Sequence, residues 1–199
     1  MSSFISLFLE KYPEVWMRFM EHMNLTTMAV FLAVLIGVPL GIAITKNKQA
    51  SKLVIGIANL LQSIPCIALL AFAVPFLGIG EKPAIMMVIV YALLPIIKNT
   101  FTGISGIDQR TLEAADGIGL SQWQKLFKVE LPLAMPYIMA GIRISTVAAV
   151  GNMTIAAFAG AGGLGWFINM GLIGLNLNMV LLGAIPASLL ALLIDYMLA

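Results

Sequence analysis

The apolar residues of this chain stand in long uninterrupted blocks, and this arrangement limits what the chain can fold into. Hydrophobic residues make up 61% of the 199 residues, and only 10% are charged, whereas a soluble domain carries about a quarter. A helix that crosses a membrane needs about 20 mostly apolar residues. The blocks therefore predict an all-α, polytopic membrane protein with about five transmembrane helices.

The five predicted spans are separated by polar or glycine-rich stretches. They run over approximate residues 25–45, 53–77, 84–97, 137–158 and 180–198. Residues 1–23 have no basic start and only a short apolar stretch, which is atypical of a cleaved signal peptide. We expect them to form an amphipathic, external helix at the membrane surface. Residues 24–199 are then the transmembrane domain, with a polar loop at about 102–136.

The distribution of lysine and arginine predicts the orientation, because cytoplasmic loops carry an excess of both. A cytoplasmic polar loop places these basic residues at the inner side: Lys46, Lys48, Lys52, Lys98, Arg110, Lys125 and Lys128. Outside remain Lys11, Arg18 and Lys82, accompanied by Glu10, Glu14, Glu21 and Glu81. The N-terminus is therefore predicted to lie outside and the C-terminus in the cytoplasm. A net charge of +2 is too small to indicate nucleic-acid binding.

The predicted spans contain many residues that disturb helices: Gly37, Pro39, Gly41, Pro65, Pro75 and Pro95. Backbone groups freed by a proline need partners inside the protein or in a wet cavity, because lipid supplies none. Ordinary kinks explain this pattern, and so does a substrate path with moving gates. The residues alone leave both explanations open.

The polar loop carries the start and stop signals of two short helices. Asp108 can cap a helix over QRTLEAAD, and Gly117 or Gly119 can end it. Ser121, with Gln124 three residues later, has the spacing of a capping box. The second helix, QWQKLFKVE, is predicted to end near Leu131-Pro132, and apolar contacts are expected from Leu112, Ala115, Trp123, Leu126 and Phe127.

This loop is longer than a connection between two spans needs to be. It could be a cytoplasmic loop that packs on its own membrane domain. Its capping signals and the small residues Ala114 and Ala115 favour a docking element for a partner protein instead.

The loop also resembles the cytoplasmic signature of ABC importer permeases. That signature reads EAA, three residues, Gly, nine residues, Ile, one residue, Leu-Pro. Here the matching positions are 113–115, Gly119, Val129 and 131–132, with Val129 replacing isoleucine. Elsewhere QSIPCIALLAF (62–72), LLPIIKNTFTGI (93–104) and AGAGGLG (159–165) are similar to permeases of quaternary-amine importers, which take up glycine betaine, carnitine or choline.

The resemblance implies the type I, methionine-importer-like permease fold in the plasma membrane of a prokaryote, with transport by alternating access. It implies two ATPase subunits below, a second permease copy or a paralogue, and an extracellular substrate-binding protein. The residues implied to couple to the ATPase are Glu113, Ala114, Ala115, Gly119, Leu131 and Pro132. The chain has no GxxxxGK[ST] sequence, so it is not expected to be an enzyme, and ATP and Mg²⁺ are expected on the ATPase. Members of this family often carry a charged C-terminal tail, so the ending IDYMLA gives the expectation of a truncated C-terminus.

Several residues are candidates for the transport pathway or its gate: Gln62, Pro65, Tyr91, Asn99, Asn152, Gly160, Gly162, Gly163 and Gly165. The glycines fit G-x-G-x-x-G, but the strand and acidic residue of a dinucleotide site are missing, and a tight bend at the outer end of the fourth span explains them better. By resemblance, Trp166, Phe167 and Asn169 lie near the outer gate.

Polar and aromatic residues at membrane depth have a simpler explanation, which we favour for each of them. Gln62, Asn99, Asn152 and Thr154 can form hydrogen bonds between helices, and Tyr91, Phe72 and Phe158 can pack rather than face a quaternary ammonium. Asp195 is expected to pair with a basic residue, and Arg143 to extend towards the cytoplasmic face. His22 is expected at the surface without metal-ligand neighbours, so no metal site is predicted.

Other functions remain as alternatives. The same machine could import an amino acid or another betaine such as ergothioneine, since the permease sequence hardly encodes the cargo. An ion-coupled carrier would be expected to hold carboxylates near mid-membrane, and the spans contain only Asp195. A membrane oxidoreductase subunit would need the dinucleotide context that the glycine-rich turn lacks.

Overall fold

Residues 2–199 are described by a computed structural model, with side chains from residue 4 onward, and within them every regular element is helical. The α-helices are α1 (Ser2–Ala43), α2 (Lys48–Ser63), α3 (Cys66–Leu77), α4 (Glu81–Ser105), α5 (Gln109–Gly117), α6 (Gln122–Lys125), α7 (Leu131–Ala156), α8 (Gly165–Ile173) and α9 (Leu177–Met197). Short 3₁₀ turns follow α1 and α7, and a π-helical stretch, Leu126–Glu130, joins α6 to α7. The predicted all-helical class is confirmed.

Four continuous helical runs are long and apolar enough to cross a membrane. They cover residues 4–46, 81–105, 122–159 and 177–197. The second predicted span, 53–77, is a broken one, since α2 and α3 meet at an angle of 96°. Ile64 is extended at the break, as expected for a residue before proline. Pro75 lies inside α3 without ending it, so only Pro65 of the two predicted interruptions breaks the helix.

Helix α1 differs from the prediction at its N-terminal half. We expected a separate external helix over residues 1–23, of which residue 1 lies outside the described residues. Instead α1 continues through this region as one helix of 42 residues, about 63 Å long. The charged residues that interrupt the hydropathy do not interrupt the helix, because lysine, arginine and glutamate are good helix formers. Lys11 pairs with Glu14 at 3.1 Å and Arg18 with Glu21 at 3.0 Å.

The core is built where α4 packs between α1 and α7. Met87 and Val88 of α4 are fully buried, and Met153 of α7 is 1% exposed. The helices approach closely at glycines, as in many membrane bundles: a Cβ on Gly141 of α7 would lie 2.8 Å from the Pro95 carbonyl oxygen of α4. The central packing therefore depends on small side chains.

The junction between the polar loop and the fourth span differs more from the prediction than any other helix boundary. The second short helix does not end near Leu131-Pro132, because the π-helical stretch continues it into α7. The Leu131 N–H donates to the Leu126 carbonyl five residues earlier, and Pro132, at the second position of α7, has no N–H to donate. The wider π turn keeps the helix continuous past the proline. Residues 122–159 therefore form one run of 38 residues.

Candidate functional site

Helix α5, which carries the Glu113-Ala114-Ala115 sequence, is fixed at both ends. The Asp108 carboxylate accepts a hydrogen bond from the Arg110 backbone N–H at 2.9 Å, as predicted for the N-cap. At the other end the Gly119 N–H donates to the Asp116 carbonyl at 3.0 Å, and the Leu120 N–H donates to that of Ala115 at 3.2 Å. This is the Schellman arrangement. It requires the left-handed φ of +80° at Gly119, which glycine adopts without strain.

Helix α6 begins at the predicted capping box. The Ser121 side chain accepts from the Gln124 N–H at 3.4 Å, and the Gln124 side chain accepts from the Ser121 N–H at 2.9 Å. Two of the free backbone donors at this end are thereby satisfied.

A salt bridge fixes the angle between α5 and α6. The Lys125 Nζ donates to both carboxylate oxygens of Asp116, at 2.7 and 3.0 Å. Lys125 is only 9% exposed, so its charge is neutralised inside the segment. The sequence did not predict this pair, because two residues nine positions apart across a turn match neither the helix nor the strand period. We call residues 108–130, held in this way, the coupling segment.

The outer surface of the coupling segment differs from the prediction. Glu113, Ala114 and Gly119 are exposed, whereas Ala115 is buried, so Ala115 supports the segment from within. Ile118 is 77% exposed and was not predicted. The sequence feature that could have predicted this exposure is its position between the end of α5 and Gly119, where neither helix covers the side chain.

Two aromatic residues predicted to pack inside the segment are instead exposed. Trp123 and Phe127 stack on each other with ring centroids 6.1 Å apart, and they are 71% and 61% exposed. They line a cleft of about 740 Å³ between the coupling segment and the C-terminal end of α1, which contributes Pro39 and Lys46 among other residues. Leu131 is half-buried in the same cleft, and Pro132 is exposed.

The predicted pathway residues do not form a single cluster. Gln62 and Pro65 are exposed at the break between α2 and α3, and the Tyr91 hydroxyl of α4 donates to the Ile64 carbonyl at that break. The Asn99 side chain donates to the Pro95 carbonyl of its own helix at 2.8 Å. Asn152 is half-buried on α7.

Three of the polar or aromatic candidates make local contacts or are exposed. Thr154 donates to the Gly151 carbonyl of its own helix at 2.7 Å. Phe72 is exposed and stacks near Phe76, while Phe158 is 54% exposed near the end of α7.

The glycine-rich sequence forms a tight turn between α7 and α8, as predicted. Gly160, Gly162 and Gly163 have positive φ angles. Gly165 begins α8 so close to α7 that a Cβ there would overlap the Thr154 carbonyl. The turn lies at the end of the bundle opposite to the coupling segment, since α7 runs from one to the other.

His22 was predicted at the surface, and this was wrong. It is fully buried, and its Nε2 lies 3.2 Å from the Val150 carbonyl oxygen of α7. Because α1 is continuous here, the side chain points into the bundle instead of lying on a membrane surface. Among the described residues, no group of three or more histidine, cysteine or acidic side chains could hold a metal ion.

Asp195 of α9 pairs with a basic residue, as expected, and that residue is Arg143 of α7. The arginine Nε donates to one carboxylate oxygen at 2.6 Å, and a terminal nitrogen donates to the other at 2.9 Å. This two-bond geometry is the most directional form of ion pair. Arg143 therefore joins the fourth and last spans.

Comparisons with known proteins give the family of the chain. The model of the family described as binding-protein-dependent transport system inner membrane component matches residues 33–199. The glycine betaine/carnitine/choline transport system permease protein OpuCB of Bacillus subtilis (strain 168) is 46% identical over 182 residues, covering 90% of this chain and 82% of that protein. The osmoprotectant import permease protein OsmW of Salmonella typhimurium is 43% identical over 183 residues, covering 89% and 85%.

A solved structure gives the same assignment. An inward-facing conformation of the MetNI methionine ABC transporter matches with a TM-score of 0.83 and 27% identity, covering 92% of this chain and 93% of that one. Its fold is the predicted methionine-importer-like permease fold. The chain therefore belongs to the binding-protein-dependent transport system inner membrane components, which are the multi-pass, non-enzymatic permease subunits of ABC importers and work with separate ATPase subunits and a partner permease.

Proposed function

We propose that this permease forms the translocation pathway for quaternary-amine osmoprotectants, namely glycine betaine, carnitine and choline. The observation that carries the cargo class is the set of relatives with 40–47% identity whose names specify these compounds. Transport proceeds by alternating access, in which the pathway opens to one side of the membrane at a time.

The coupling segment is the surface through which an ATPase subunit would drive this change. Glu113 and Ala114 are exposed on α5, and Ile118 is exposed directly after its end. Both ends of this helix are capped, so little ordering is needed on binding. The positive φ of Gly119 ends this surface, and Ala115 is buried beneath it. Leu131 and Pro132 direct the chain into α7.

The complete importer in this proposal contains two ATPase subunits, two permeases and an extracellular substrate-binding protein. The second permease is either another copy of this chain or a paralogue. ATP and Mg²⁺ are bound by the ATPase, and this chain binds no cofactor. The N-terminus lies outside and the C-terminus in the cytoplasm, in agreement with the lysine and arginine distribution.

An uptake assay tests the cargo class. The permease is reconstituted with its cognate ATPase and binding protein, and uptake of labelled glycine betaine is measured with unlabelled competitors. We expect carnitine and choline to compete and methionine not to compete. Absence of glycine betaine uptake, together with uptake of labelled methionine in the same vesicles, contradicts the quaternary-amine assignment and favours an amino acid, the class of cargo of the structurally similar importer.

Dependence on the ATPase separates this proposal from an ion-coupled carrier. We expect uptake to stop when the ATPase is omitted or when ATP is withheld. Uptake that continues without ATPase and follows an ion gradient would contradict the proposal.

A further inference from the structure

Three side chains of α1 meet the glycine-rich turn at the end of the bundle opposite to the coupling segment. The Glu21 carboxylate accepts a hydrogen bond from the Gly163 backbone N–H at 2.8 Å and one from Arg18 at 3.0 Å. The Arg18 guanidinium lies 4.8 Å from the centre of the Trp166 ring at the start of α8. His22, the next residue of α1, bonds to the Val150 carbonyl of α7.

At Gly162 and Gly163 the turn lies so close to these side chains that it has no room for a side chain of its own. A Cβ on Gly162 would overlap the Glu21 carboxylate, and a Cβ on Gly163 would lie 3.0 Å from the His22 Nδ1. Both glycines also have positive φ angles, +77° and +65°. Glycine at these two positions therefore leaves the space that the Glu21 carboxylate occupies.

The charge of Glu21 is neutralised within α1, without the hydrogen bond to the turn. Arg18, three residues earlier on the same helix, already neutralises Glu21. The Gly163 N–H, 142 residues away in sequence, adds a connection to a different part of the chain. On its other side the turn is held by the Gly80 N–H, which donates to the Ala159 carbonyl at 2.8 Å. The turn is thus hydrogen-bonded to α1 on one side and to the loop that joins α3 to α4 on the other.

From this geometry we propose that Glu21 is a positioning residue for transport, which holds the glycine-rich turn against α1 while the outer end of the pathway is closed. The inference rests on the proposed function, because it takes this turn as part of the outer gate. A hydrogen bond to a charged group contributes more than a neutral one, so this contact favours the position of the turn seen here. Its loss would favour other positions of the turn, as opening of a gate requires.

Two variants remove this contact from opposite sides. Glu21→Ala deletes the acceptor, and Gly162→Ala displaces the carboxylate by overlap. The matched control is Glu14→Ala on the same helix, because Glu14 pairs with Lys11 three residues earlier and its side chain is 31% exposed, as against 30% for Glu21. This control removes an equivalent carboxylate from α1 and leaves the hydrogen bond between Glu21 and Gly163 in place.

Two readouts on the assembled complex in nanodiscs distinguish positioning from general stability. The first is hydrogen–deuterium exchange in residues 160–168, which reports the Gly163 amide directly. We expect both variants to accelerate this exchange about tenfold or more, as loss of a hydrogen bond to a charged group predicts. The second is the amount of ATP hydrolysed per glycine betaine transported, which should rise in both variants, because a turn that is not held allows closure without cargo. Reduced folding alone would lower both rates and leave their ratio unchanged.

The double variant, Glu21→Ala with Gly162→Ala, completes the test. Because both changes remove one contact, their effects on exchange and on the ratio should not add. Wild-type exchange and ratio in Glu21→Ala, additive effects in the double variant, or equal effects in Glu14→Ala would each overturn the proposal. If the wild-type complex transports no quaternary amine, the proposed cargo is refuted, while the exchange comparison still decides whether Glu21 holds the turn.

Discussion

Gly119 shows how a single backbone conformation shapes the coupling segment. Its φ of +80° allows the two hydrogen bonds that end α5 and present Ile118. We expect Gly119→Ala to destabilise this turn by about 1–2 kcal/mol, the cost of a left-handed conformation for a residue with a Cβ. No atom lies within 4 Å of that Cβ, so strain is the only cause. The measurement is the amount of ATPase that co-purifies with the permease at equal membrane insertion.

Gly117 provides the control for this prediction. It is the last residue of α5 and also has open space around a Cβ, but its φ is not positive. Gly117→Ala should therefore leave ATPase association unchanged or raise it, because alanine favours a helix over glycine by about 1 kcal/mol. Equal ATPase association in Gly119→Ala and Gly117→Ala would contradict the assigned role of the turn.

Glu113 is exposed near the middle of α5, so its substitution tests docking without affecting the fold. Glu113→Lys reverses a surface charge and should change the free energy of unfolding by no more than about 0.5 kcal/mol. We expect membrane insertion to stay normal and co-purification of the ATPase to fall. Normal co-purification and normal uptake would remove Glu113 from the docking surface.

At the scale of helices, the ion pair between Arg143 and Asp195 joins α7 to α9. Reversing either charge alone places two like charges at the positions that now form two hydrogen bonds. We expect each single variant, Arg143→Asp or Asp195→Arg, to lose most of the uptake. The double variant should recover a substantial part of it, because the opposite charges face each other again. Uptake by permease in proteoliposomes, normalised to the amount inserted, is the measurement.

The pair formed by Lys11 and Glu14 on α1 is the control for this exchange of charges. These residues are three positions apart on one helix, and such pairs contribute little to stability. Lys11→Glu should leave uptake near the wild-type level. Failure of the Arg143→Asp, Asp195→Arg double variant to exceed either single variant would show that the two spans are not coupled through this pair.

The sequence predicted features that depend on neighbours along the chain and failed where distant segments decide. Asp108 and Ser121 were identifiable as caps because their partners lie two or three residues away. The burial of His22 depends on Val150, 128 residues later, and no local pattern contains that information. The continuity of α6 and α7 was missed for another reason, since proline at the start of a helix is compatible with both a break and a continuation.

The coupling segment and the fourth span are continuous with each other across the length of the protein. Residues 122–159 form a single helical run, and the salt bridge between Lys125 and Asp116 fixes α5 to it. We therefore expect a movement of α5 to be transmitted through α7 to the glycine-rich turn at the opposite end. The broken span, α2 and α3, has no such continuity.

Site-specific photo-crosslinking tests most directly whether the coupling segment docks on the ATPase. A photoreactive amino acid replaces Ile118, which is 77% exposed, or Leu175, which is 94% exposed in the turn between α8 and α9. In membranes that contain the assembled importer, we expect position 118 to crosslink to the ATPase and position 175 not to do so. A crosslink to the ATPase from position 175, or none from position 118, would contradict the account.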